Sequence, residues 1–131
     1  MTKTLLPSIY RFSAEAEITL QLIPHQELEL LRTGHGAEES FHTIAARLNM
    51  GAIAIEWHWK DNRDALDAIG AALDAIVAVR DRKWRIGKYG VSGDELQLIG
   101  KGLNLTDDAQ KLLTRKQLRD ILQHVMKVAA T

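Results

Sequence analysis

Two apolar stripes separated by a short polar break constrain this chain more than any other feature. Phe41, Ile44, Ala45, Leu48, Ala52, Ile55 and Trp59 recur at steps of three and four; Leu66, Ile69, Leu73, Ile76, Val77 and Trp84 follow a similar spacing after Lys60 and Asp61. That periodicity puts side chains on one face of a helix. It predicts two helices, 37–59 and 62–86, each about 35 Å long at a rise of about 1.5 Å per residue. So short a break makes them antiparallel neighbours. The expected fold class is mainly α, a helical bundle built on this long hairpin.

With Trp59 opposite Asn62, Ile55 pairs with Leu66, Ala52 with Ile69, Leu48 with Leu73 and Ile44 with Val77. The same register sets Gly51 against Gly70, which predicts a close backbone approach there, since each glycine otherwise weakens its helix. Asp61 occupies the expected N-cap position of the second helix, with Asp64 three residues on. A second stripe, Ala65, Ala68, Ala72, Ala75 and Val79, carries too little charge for a solvent face. It predicts a further packed helix, and makes 62–86 the expected centre of the bundle. The acids Asp61, Asp64 and Asp67 at its start and the bases Arg80, Arg82, Lys83 and Arg85 at its end suit the helix dipole.

The chain has 131 residues, the size of one domain. Its 17 basic and 17 acidic residues cancel, so no global field draws it to nucleic acid or anionic membrane. The absence of cysteine excludes disulfides, thiolate nucleophiles and Cys-based zinc sites. No stretch has the length of a membrane span or the pattern of a leader, so a cytoplasmic location with no membrane partner is expected.

Before the hairpin, Ile18, Leu20 and Leu22 alternate with Glu17, Thr19 and Gln21, a strand signal. Residues 1–23 are therefore expected to hold a short β-hairpin, over 8–12 and 17–23, or an extended arm, although Ser13 followed by Ala14 and Glu15 also reads as a helix start. Pro24 suits a first helical turn leading to Arg32, and Gly34 and Gly36 end it. After the hairpin, Ser92 and Glu95 predict a capping box, Gly100 and Gly102 a stop, and Thr106 to Asp108 a restart. Thr114 and Gln117 predict a cap for a last helix to about Ala129, the expected partner of the alanine stripe.

Residues 41–58 resemble a helix-turn-helix, with Ile44, Ala45, Leu48, Asn49, Met50 and Ile55 at its apolar, small and turn positions. Gln26 to Leu31 followed by Thr43 to Leu48 also resembles helices of response-regulator DNA-binding domains. The resemblance spans about 30 residues and departs where bases would be read. Ala52, Ile53, Ala54, Ile55, Glu56 and Trp57 offer no bidentate contact to guanine. Read from its residues alone, the segment is a continuous core helix. Arg80, Arg82, Lys83, Arg85 and Lys88 surround Trp84 and Tyr89, a pattern that holds phosphates and stacks bases. The competing reading is a helix end whose charges serve the dipole and whose Trp84 packs near Phe41.

Glu39 and His42 have the spacing of a di-iron carboxylate–histidine pair, but the second pair that such a site needs is missing. There is no nucleophile elbow, phosphate-binding glycine loop or dinucleotide fingerprint. No catalytic, cofactor or metal residues are assigned, and the expected function is non-enzymatic protein–protein interaction by a self-associating regulatory or adaptor protein, a homodimer. Trp57, Ile18 and Leu20 are the expected partner contacts. The alternative is a DNA-binding regulator using 41–58 or the basic surface at 80–88.

Overall fold

The computed structural model of the chain describes residues 14–130, with side chains over 21–127. Among these, five helices follow in order: α1 (Ala14–Arg32), α2 (Glu38–His58), α3 (Arg63–Ile86), α4 (Gly93–Leu112) and α5 (Arg115–Ala130). The mainly α bundle read from the periodicity is the fold. The long hairpin falls within a residue of its expected limits.

Local chemistry sets most of the ends. Asn62, one residue beyond the expected Asp61, caps α3 by accepting from the Ala65 amide at 3.1 Å. Gly87 closes α3 in the left-handed region at φ 83°, its N–H donating to the Lys83 carbonyl. Ser92 and Glu95 make the expected reciprocal box at 3.2 and 2.9 Å, and Thr114 with Gln117 repeats it ahead of α5 at 3.1 and 2.9 Å.

Several expectations change. Residues 14–23 are helical, so no strand or arm forms over 17–23; the proposed strand at 8–12 lies outside the described residues. Pro24 sits inside α1, where its ring removes one backbone donor. Its burial in one stripe with Leu28 and Leu31 offsets that loss. The helix α4 runs unbroken through Gly100 and Gly102, and α4, not the last helix, packs on the alanine stripe of α3.

The reason lies at Gly102. A Cβ there would come 2.5 Å from Ala72 Cβ and 2.9 Å from Leu48 Cδ2, so α4 crosses α3 and α2 with almost no side chain between. One turn on, Thr106 donates to the Gly102 carbonyl at 3.0 Å and fills the space above Gly51, where a Cβ would overlap it. Gly51 therefore opposes α4, and nothing lies near Gly70 on its open side. Consequently α3 is rotated from the expected register: Ile76 and Val79 are buried while Val77 is exposed.

The central helix is α2 rather than α3, since α2 touches all four others. One face of it, Phe41, Ile44, Leu48 and Ile55, belongs to the main core with Ile69, Ile76, Ile99 and Leu103. Each such side chain stabilises the fold by roughly 1.5–3 kcal/mol on burial. A smaller cluster joins Met50 and Ala54 of α2 to Leu118 and Ile121 of α5. No helix among the described residues is long and apolar enough to cross a membrane.

Candidate protein-interaction site

The face of α2 left between α1 and α5 is open. Thr43, Ala46 and Met50 form the floor of a groove walled by Ile23 and Pro24 of α1 and by Leu122, Val125 and Met126 of α5. Its volume is about 260 Å³ and its surface is almost wholly carbon. Past Ala46 and Val125 it continues into a second hollow of about 370 Å³ along the other side of α5, lined by His42, Asn49, Ile53 and His124. Ile23 extends the apolar surface onto α1, at 40% exposure. Helix α5 thus rests on α2 with apolar surface open on both flanks.

By sequence the helices beside the groove differ in charge: α1 has Glu15, Glu17, Glu27 and Glu29 against Arg32, and α5 has Arg115, Lys116, Arg119 and Lys127 against Asp120. On α1, Glu29 pairs with Arg32 and Glu27 accepts from the Ser40 hydroxyl at 2.8 Å. Lys116 and Asp120 pair at 2.9 Å, which leaves the other three cations of α5 outside any salt bridge among the described residues.

Beneath one end of the groove lies the most buried charge described. The Arg47 side chain is only 5% exposed. Its Nη2 donates to Asp107 Oδ1 at 2.8 Å, and its Nη1 donates to Gln110 Oε1 and lies 3.4 Å from Met50 Sδ. The second Asp107 oxygen meets His25 Nε2 at 2.8 Å. Burial lowers the guanidinium pKa and the bond it donates to Asp107 opposes that shift. Arginine stays charged regardless. This network ties α1, α2 and α4 at the back of the groove, with Arg47 Nε buried and without a partner. The sequence held one signal for it: Arg47 is a lone charge beside Leu48 in an apolar stripe. Its partners lie 60 and 63 residues away, beyond any local pattern.

Of the expected contact residues, Trp57 is 46% exposed and packs edge-on against His124 of α5, ring centres 5.1 Å apart, at the margin of the open face. Ile18 and Leu20 fall within α1, with side chains outside the described set. The helix-turn-helix segment is one continuous helix through Asn49, which removes the turn that motif requires. His42 lies 3.7 Å from Glu38 rather than pairing with Glu39, and no three metal-ligating side chains converge among the described residues.

The basic group at 80–88 divides. Arg82 forms a two-point ion pair with Glu95 and also donates to the Gly90 carbonyl. Arg80 covers the Phe41 ring at 5.0 Å. Lys83, Arg85 and Lys88 form no salt bridge among the described residues, and Trp84, expected in the core, is 79% exposed. The rotation of α3 turns it outward, and Arg80 takes the place near Phe41.

No protein-family model, curated protein or solved structure matches this chain.

Proposed function

We propose that this is a non-enzymatic protein that acts by protein–protein contact, as a regulatory or adaptor protein, and that it pairs with a second copy of itself through the α1–α2–α5 face. The observation that carries this reading is the open apolar groove between an acidic helix and a basic one. In a two-fold pair each patch meets its own copy, so a self-binding surface must complement itself. A surface with α1 on one side and α5 on the other does so when the axis runs along α2, which sets α1 of each copy against α5 of its partner. The groove supplies apolar area at the centre, Trp57 an aromatic at the margin, and Met126, half-buried on α5, a side chain that adapts to a partner.

Sedimentation equilibrium tests this. The expected result is twice the 14.7 kDa chain mass at micromolar concentration, falling to the single mass in Val125→Asp. A single-chain mass for the unaltered protein at all concentrations up to the millimolar range contradicts the reading.

A further inference from the structure

The end of α3 shares no residue with the groove. Trp84 is the most exposed of the large apolar side chains described, at 79%. Arg85 and Lys88 beside it are exposed, and Lys83 is half-buried with its Nζ 5.8 Å from the Tyr89 ring centre. Because Arg82 is held by Glu95 and Arg80 by Phe41, these three cations are the ones this end can offer to a ligand.

Next to them is a recess of about 330 Å³ walled by Lys83, Lys88, Tyr89 and the backbone of Gly34, Gly36 and Gly87. At Gly34 and Gly87 nothing lies within 4 Å of where a Cβ would stand, so a ligand meets bare backbone. Glu38 also lines the recess, with His42 beside it at 3.7 Å.

We propose that this end binds single-stranded nucleic acid, with a base stacked on Trp84 and phosphates passing Arg85 and Lys88 toward Lys83. Flat aromatic surface among cations suits unpaired bases on a polyanionic backbone, and such binding tolerates sequence because every base has a stacking face. A bilayer would be entered by a cluster of apolar side chains. Within 83–89 only Ile86, at 54% exposure, accompanies Trp84 as an exposed large apolar residue. The proposal does not depend on self-association.

The test is fluorescence anisotropy with labelled oligo-thymidylate and oligo-uridylate at rising salt, beside vesicles containing phosphatidylserine. The expected result is oligonucleotide binding whose log–log salt slope is about −2, for three contacts at about −0.7 each. Trp84→Ala weakens it about fivefold or more, whereas Trp84→Phe keeps most of it. Arg85→Glu combined with Lys88→Glu abolishes it, and Lys101→Glu, an exposed cation on α4, leaves it unchanged. All these positions are solvent-facing, and matching melting curves identify the variants that are folded. Absence of oligonucleotide binding at low salt, equal affinity in folded Trp84→Ala, or binding to the vesicles alone would each overturn the proposal.

Discussion

The contact between α3 and α4 and the contact between α2 and α5 are built by opposite rules. In the first, Ala72 meets Gly102 with almost no side chain between, and Ile69, Ile76, Ile99 and Leu103 lie fully buried around the crossing. In the second, Leu118 and Ile121 are buried, but Leu122, Val125 and Met126 stop halfway and leave hollows on both sides. Close approach leaves no room for a ligand or a change of sequence. Incomplete cover keeps apolar surface in water, where a partner gains by removing it. The first contact holds the bundle together, and the second leaves the open surface on which the proposed pairing rests.

That contrast breaks most visibly at Arg47. Replacing it with Ala leaves part-buried Asp107 with His25 as its remaining partner and costs about 3 kcal/mol, read as a shift of the urea midpoint at concentrations where the chain is monomeric. Next comes Gly102→Val, which forces side-chain volume into the α3–α4 crossing and costs roughly 1–3 kcal/mol. By comparison, Val125→Asp at the open edge changes monomer stability by about 1 kcal/mol or less while removing self-association. A larger loss in Val125→Asp than in Gly102→Val would invert the contrast.

The smallest effect concerns acid. The ion pair with Arg82 holds the Glu95 carboxyl below the usual carboxylate range, against the opposing effect of burial. The unfolded chain therefore takes up the proton first. Stability from this pair is fully present above the unfolded pKa and is lost as pH falls through the folded one. Arg82→Ala should flatten the acid limb of a stability–pH curve and leave its neutral-to-alkaline part sloped as before.

What was legible in the sequence was local. The hairpin limits follow from periodicity, and the Ser92–Glu95 and Thr114–Gln117 caps from spacings of three residues. Glycine was ambiguous, because the same residue that ends a helix also permits a close crossing. Gly102 serves the second purpose, and only the positions of Ala72 and Leu48 reveal it. The alternation of Ile18, Leu20 and Leu22 suggested a strand, yet the helix buries Pro24, Leu28 and Leu31 and leaves Leu22 exposed. The Arg47 network and the outward turn of Trp84 depend on helices brought together from distant parts of the chain.

Amide hydrogen exchange compared above and below the dimer dissociation constant tests the central claim most directly. The account predicts added protection on concentration in three stretches, 22–30 of α1, 43–50 of α2 and 115–127 of α5, with 77–88 of α3 unchanged. Protection that appears on α3 instead, or nowhere while the mass doubles, would contradict it.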